Sequence, residues 1–396
     1  MAQKKRTNSS KIDKNVSKAV TELSKTKGGR VFLVAVAIIL IVAVGFGVYW
    51  FYFRKQGQEA EKQSYPDVSG QDISVHFLEF DSIYAGDCIY IKTQSCDILI
   101  DCGARIGNLN DNVDYLNHYV TDGTLEYVIV THAHQDHYAG FIAAQYTNTI
   151  FAKYTIGTLI DFCDVSTDTE ENTIYPRYLA NRQKALDDGD CLHHYTAVEC
   201  INDSTKNGFD VGGGYTMTIL DSYYYAHPDK SNENNNSVCT LFSNGTKHFL
   251  FTGDLEVDGE EKLLERNPSL PTRVDLFKAG HHGSYTASSQ ALLQAVNPKT
   301  IVVTCCAGSP EYSTNLDNQF PSQTFISNVA RYTTTDEVYV TGLYTGDRTT
   351  KETDKHTSFN GNIVYMAKGN SYKVVCSASS VKLKDSEWFK QNRTWD

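Results

Sequence analysis

The sequence predicts a mixed α/β (α+β) chain: two packed β-sheets with helices outside, preceded by one transmembrane helix. Three observations predict it. Residues 31–53 are a run of 23 residues without a charge. Beyond them, short apolar runs come as antiparallel hairpins and as strand–helix units, in two halves, which suits two packed sheets covered by helices. In both halves an apolar run ends on residues of metal-ligand type.

The elements follow in chain order. Residues 1–30 carry a net charge of +7, and the rest of the 396-residue chain carries −18. As a helix, residues 31–53 rise about 1.5 Å per residue, enough for a hydrocarbon core of about 30 Å. Tyr49, Trp50 and Tyr52 close the run where aromatic rings favour the membrane interface, and Arg54-Lys55 follow. A cleaved signal peptide has a shorter apolar run ending in small residues. This one ends in bulky aromatics and reads as an uncleaved signal anchor. The positive-inside tendency makes residues 1–30 a cytoplasmic tail and puts the remainder outside the cell membrane. Residues 54–71 are polar and read as a linker, residues 72–380 as the folded domain and residues 381–396 as a C-terminal tail.

Within the domain, Ile73, Val75 and Phe77 alternate as in a strand, and Asp87 to Lys92 and Asp97 to Ile100 follow. Asn112 to Val120 reads as a helix, Leu125 to Thr131 as a buried strand, Phe141 to Tyr146 as the first turns of a helix and Arg177 to Leu186 as another. Residues 161–176 are polar and irregular. In the second half Tyr215 to Leu220 is a strand. Ser237 to Phe242 and Lys247 to Thr252 form a hairpin around Asn244-Gly245, a pair suited to its tight turn. Strands at Arg273 to Ala279, Lys299 to Cys305 and Glu337 to Thr341 alternate with helices at Glu256 to Arg266, Gln290 to Val296 and Gln323 to Tyr332. Asn362 to Met366 and Tyr372 to Cys376 close the domain as a hairpin. All ten cysteines lie beyond the apolar run, and no CxxC pair offers a structural zinc site.

Chemistry concentrates where strands end. His132-Ala133-His134-Gln135-Asp136-His137 places three imidazoles and a carboxylate directly after a buried strand. These are the donors that Zn²⁺ and similar divalent ions take. On a turn, alternating positions converge on two neighbouring points, so His132 and His134 serve one metal and Asp136 and His137 the other. Phe251-Thr252-Gly253-Asp254 ends a second strand with a carboxylate, and Gly280-His281-His282-Gly283-Ser284 ends a third with paired imidazoles.

In this order the segments resemble the metallo-β-lactamase fold superfamily of metallohydrolases, over roughly residues 72–375. The marks are Asp101 in ILIDCG, HAHQDH at 132–137, FLFTGDLE at 249–256 and DLFKAGHHGS at 275–284. The chain looks most like the branch holding the external hydrolase domain of ComEC-type DNA-uptake proteins, with its early GDS-like turn at Gly86-Asp87-Cys88. A surface phosphorylcholine esterase of Gram-positive bacteria is a related member type. The resemblance implies an αββα sandwich with two divalent metals, zinc first and manganese as the alternative, at one edge between the sheets. It implies metal ligation by His132, His134, Asp136 and His137, bridging by Asp254, and a ligand from the histidine pair, for which His281 is favoured as the first past the strand. His282 then serves as proton donor, and Asp101 supports the metal loop. Many members supply a further histidine before the bridging aspartate; here the region holds His193, His194, His227 and the Asn234-Asn235-Asn236-Ser237 run. Those histidines read as surface residues and Asn236 as a contact for the developing anion.

The expected activity is hydrolysis of a phosphodiester by a hydroxide bridging two metals, which stabilise the attacking and leaving oxygens together. Lactam, thioester and lactone cleavage remain open on the same fold. A ComEC-like nuclease is the first rival, and the −18 charge opposes it, because long nucleic acid needs a basic surface. A small or surface-linked phosphodiester, such as a choline-bearing teichoic acid unit or a nucleotide, suits that charge. The second rival is a non-catalytic surface protein, whose mark would be lost ligands. The loop, the aspartate and the histidine pair are all present.

Overall fold

The computed structural model describes residues 17–36, 65–105, 109–143, 145–162 and 174–396. Contacts divide the chain into residues 1–62 and 63–396. In the first unit the described residues are mainly helical. Residues 37–53 of the expected membrane span lie outside the described residues, as do 54–64 of the linker and 163–173 of the irregular stretch. Among the described residues no helix is long and apolar enough to cross a membrane.

Among the described residues the second unit holds sixteen strands: β1 (Ile73–Phe77), β2 (Asp87–Thr93), β3 (Asp97–Gly103), β4 (Thr124–Val130), β5 (Thr155–Asp161), β6 (Cys191–Thr196), β7 (Phe209–Gly212), β8 (Tyr215–Ile219), β9 (Thr240–Ser243), β10 (His248–Phe251), β11 (Leu276–Lys278), β12 (Thr300–Ala307), β13 (Glu337–Tyr344), β14 (His356–Ser358), β15 (Ile363–Lys368) and β16 (Ser371–Cys376). They form two eight-stranded sheets, ordered β16-β15-β1-β2-β3-β4-β5-β6 and β14-β13-β12-β11-β10-β9-β8-β7. In the first, β3 to β6 run parallel; in the second, β10 to β13 do. Parallel strands need both faces covered, and β3 and β12 are accordingly buried along their whole length.

Aromatic rings hold the inner faces together. Phe77 of β1 meets Phe251 of β10 at 6.4 Å, and Phe249 of β10 meets Tyr365 of β15 edge-on at 5.4 Å. Each such fully buried ring contributes about 1.5–3 kcal/mol through apolar burial. The chain returns late to its first sheet, for β15 pairs antiparallel with β1, with Ile73 opposite Ala367. The expected hairpin around Asn244-Gly245 is β9–β10, and Gly245 takes the left-handed backbone its turn requires, φ 83°.

The structure differs from the sequence reading at several elements. The helix expected over Phe141 to Tyr146 forms earlier, at Gln135–Tyr138, and continues as a 3₁₀ turn at Ala139–Phe141. Gly140 lies in that turn, and the apolar side chains of Phe141 and Ile142 that suggested helix are buried beneath it. Strands β5, β6, β7 and β14 have no clear apolar alternation. Packing extends past both expected domain ends. Tyr65 stacks on His118 at 4.3 Å, and Leu383 and Phe389 are buried in the core beside the second sheet.

Candidate metal centre

Parallel strands deliver their C-terminal ends to one edge, the place where open α/β sheets present ligand groups. From the first sheet, β3 brings Asp101 and β4 runs into His132. From the second, β10 leads to Asp254 and β11 to the histidine pair. The two contributions meet: His137 Nε2 lies 3.1 Å from Asp254 Oδ2, and His282 Nε2 lies 3.4 Å from the same oxygen.

Local backbone aims these groups. Asp101, Gly253, His281 and His282 all have left-handed φ, at 57°, 55°, 45° and 51°. For residues other than glycine that conformation costs about 1–3 kcal/mol each, and it clusters at functional sites. The Asp101 carboxylate accepts hydrogen bonds from the Thr131 amide and hydroxyl, both at 2.7 Å, and meets His137 Nδ1 at 2.8 Å. It thereby locks the metal loop and leaves His137 Nε2 facing Asp254. At Gly253 a Cβ would come within 2.8 Å of Ser237 Oγ. That hydroxyl accepts from the Asp254 amide at 3.1 Å, so the absence of a side chain lets Asp254 approach.

Four sets of donor atoms lie close enough to share an ion, each within 4.8 Å: His132–His137–Asp254, Asp136–His137–His282, Asp87–Asp254–His282 and Asp87–Asp101–His137. Of the expected ligands, His132, Asp136, His137 and Asp254 are brought together and buried. The half-buried His134 sits beside them, its Nδ1 3.0 Å from His132 Nε2, and belongs to none of the four sets.

Within the histidine pair the placement differs from the expected one. His282, not His281, enters the donor sets; it is fully buried, with Nδ1 held by the Thr304 carbonyl at 3.0 Å. His281 remains at the rim, with a side-chain exposure of 21%. Its Nδ1 lies 3.2 Å from Glu256 Oε1 and 3.2 Å from Thr286 Oγ1, and its Nε2 stays 3.9 Å from Asp254. The left-handed turn through both residues swings the second ring inward.

Asn236 does not supply a free contact either. Its carboxamide is spent on its own loop, accepting from the Asp229 amide at 2.8 Å and donating to Glu233 at 3.2 Å. The neighbouring asparagines serve Glu256: Asn232 and Asn234 donate to its two oxygens at 2.7 and 3.0 Å. His194 pairs with Asp161 at 2.9 Å, while His193 is exposed and His227 stacks on Tyr223 at 4.6 Å.

Several residues here went without a role in the sequence reading. Tyr312 donates to Asp136 Oδ2 at 2.8 Å although its ring is half exposed. Lys278 and Asp87 pair at 2.7 Å beneath the cluster. A signal for Lys278 existed, a charge closing an otherwise apolar strand. Tyr312 follows an irregular stretch and gave none.

Burial disfavours a charged His132, as do the nearby His137 and His134 rings, so its proton affinity falls well below the ordinary imidazole range. A neutral ring is what a metal needs. Burial also opposes charge on His137, but Asp254 and Asp101 on its two sides outweigh it and hold its proton affinity well above the usual range. For Asp254 burial is outweighed by His137, His282 and Lys278, which keep it ionised far below the ordinary carboxylate range.

These residues fit divalent ions. The Nε2 atoms of His137 and His282 are buried and make no hydrogen bond. Such a group costs about 1–3 kcal/mol when left unmade. A cation among these nitrogens and carboxylates removes that cost, and the donor set is one that zinc accepts.

Comparison with known proteins agrees. A stretch of 98 residues is 32% identical to ComE operon protein 3 of Bacillus subtilis, covering 24% of this chain and 12% of that protein. A stretch of 100 residues is 28% identical to recombination protein 2 of Haemophilus influenzae, covering 25% and 11%. The chain thus spans about a tenth of the length of the curated relatives it matches. Among solved structures, the metallo-β-lactamase fold protein YhfI from Bacillus subtilis is 13% identical with a TM-score of 0.40, over 68% of this chain and 96% of that one. AidC, a dizinc quorum-quenching lactonase, is 14% identical with a TM-score of 0.29, over 46% and 69%. The family described as anti-Pycsar protein Apyc1 matches residues 80–303, a span that begins before Asp87 and closes after the histidine pair. Since that match takes in more than half of the chain, the protein belongs to the anti-Pycsar protein Apyc1 family, a metallo-β-lactamase-like family of metal-dependent hydrolases.

Proposed function

We propose that this chain is a dinuclear metal-dependent phosphodiesterase, anchored in the cell membrane by residues 31–53 with its hydrolase domain outside. One observation carries the catalytic part. A single carboxylate oxygen, Asp254 Oδ2, faces His137 from one sheet and His282 from the other, so Asp254 stands where it would serve donors of both sheets in holding ions. His132, His137 and Asp254 would hold one ion, and the group of Asp136, His137 and His282 offers the donors for the other. Two such ions supply Lewis acidity and an activated water, the combination that suits phosphodiester displacement.

The protein's own residues do the rest. Asp101 fixes the His137 ring through Nδ1, and the Thr304 carbonyl fixes that of His282. His281, steadied by Glu256 and Thr286, has Nε2 on the Asp254 side and delivers a proton from it to the leaving oxygen. Tyr312, whose hydroxyl rests on Asp136, donates to a phosphoryl oxygen when substrate arrives. The charge of −18 beyond residue 30 favours a small or surface-linked phosphodiester over long nucleic acid, and the +7 start with the uncharged run supports the anchor.

Full-length protein in detergent, supplied with Zn²⁺ or Mn²⁺, is expected to hydrolyse bis-nitrophenyl phosphate and small natural phosphodiesters, and to lose that turnover as Asp254→Asn. Turnover of lactams or lactones alone would exclude the phosphodiesterase reading. Preferential cleavage of single-stranded DNA would favour the nuclease reading that the ComEC-type resemblance implies. Protease added to intact cells should remove the domain and spare residues 1–30; a protected domain would overturn the anchor.

A further inference from the structure

Lys278 is the last residue of β11, three positions before His281, and its side chain is fully buried. Its Nζ meets three acceptors: Asp87 Oδ2 at 2.7 Å, Asp254 Oδ1 at 3.0 Å and the Gly253 carbonyl at 3.1 Å. Those to Asp254 and Gly253 are hydrogen bonds, and that to Asp87 is an ion pair. Asp87 comes from the other sheet and accepts from Thr304 Oγ1 at 2.5 Å, while the Thr304 carbonyl holds His282 Nδ1. One cation therefore ties the shared carboxylate, through Asp87 and Thr304, to the ring that stands opposite it.

The consequence lies in how the Asp254 carboxylate is divided. One oxygen is taken by Lys278. The other is the one facing the Nε2 atoms of His137, His282 and His281, at 3.1, 3.4 and 3.9 Å. We infer that Lys278 is a positioning residue that commits Asp254 to sharing ions through Oδ2 alone. This inference rests on the two-metal reading. A simpler role competes with it: Lys278 could serve only to cancel the buried charge of Asp87.

Cobalt separates the two roles, since its visible spectrum reports ligand geometry without turnover. Full-length protein is titrated with Co²⁺ as wild type, as Lys278→Met and as the double variant Asp87→Asn/Lys278→Met. Methionine keeps length and removes charge and donors. Loss of such an outer partner is expected to weaken Co²⁺ binding about 10–100-fold and to change the spectrum. The double variant removes both members of the buried pair, a change that proteins often tolerate. It is expected to regain the folding lost by the single variant while keeping weak binding and the altered spectrum. If Lys278→Met does not fold, the double variant carries the test. Wild-type affinity and spectrum in either variant would overturn the positioning role. A wild-type chain that takes up only one Co²⁺ would instead overturn the two-metal reading.

Discussion

At the scale of the residue, His282→Ala is expected to strip metal from the protein, because the lost nitrogen faces Asp254 from a fully buried position. His281→Ala should leave metal content near normal and slow turnover by about 10²–10⁴, the usual range for a positioned acid. The loss should shrink with a nitrophenolate leaving group, which needs no proton. Metal analysis beside initial rates checks both, and metal loss from His281→Ala alone would reverse the roles. The sequence announced the pair and its chemistry. It held no hint of which ring turns inward, since that depends on left-handed backbone at both positions. Away from the cluster, His76 lies between Ser74 and Tyr115, each 2.8 Å from a ring nitrogen. Burial, aided slightly by Lys92, lowers its pKa to about 3. A base depressed on folding contributes stability above its unfolded pKa and loses it as pH falls. Between pH 7 and pH 5 the loss should be about 2 kcal/mol. Urea unfolding of His76→Gln at the two pH values should show a smaller loss by that amount; an equal loss would assign it to other groups.

Elements differed in how plainly they could be read. Strands β3 and β12 are buried along their whole length, and β4 ends in the buried apolar run Val128 to Val130, which points out the ligand-type residues that follow it. Strand β5 is broken by Gly157, over which the Glu126 backbone passes closely, and β6 carries an exposed Leu192 and two histidines. Neither sits in a pattern that alternation can detect: β5 is exposed at its start and buried throughout its end, and β6 is largely exposed or half-buried. Helix placement at the metal loop failed similarly: the turn over residues 135–138 is one turn long, too short for an amphipathic period. The end of β10 offers a test at this scale. Gly253→Ala places a Cβ against Ser237 and Thr131 in left-handed backbone, a cost of about 1–2 kcal/mol before the clash is counted. It should lower the unfolding midpoint and, by displacing Asp254, reduce metal affinity. Unchanged affinity would show that Asp254 is positioned from its other side.

Across the whole molecule, both sheets supply donor groups: Asp87, Asp101, His132, Asp136 and His137 come from the first, Asp254 and His282 from the second. Bound ions should therefore fasten the sandwich as well as serve chemistry. An ion at a hundred times its Kd adds about 2.7 kcal/mol to the folded state. A chelator should lower the melting temperature of wild-type protein and leave that of Asp254→Asn nearly unmoved. Equal shifts in both would place the stabilising ion elsewhere. The route of the chain has a further effect, one of timing. Ile73 pairs with Ala367, so the outer edge of β1 waits for nearly 300 residues before β15 exists to cover it. At synthesis rates of about 5–20 residues per second, that wait is about 15–60 s. Through it the nascent first sheet carries an open, apolar edge, the kind that recruits stray strands. Covering that edge during synthesis should therefore raise the share of chains that reach the finished fold.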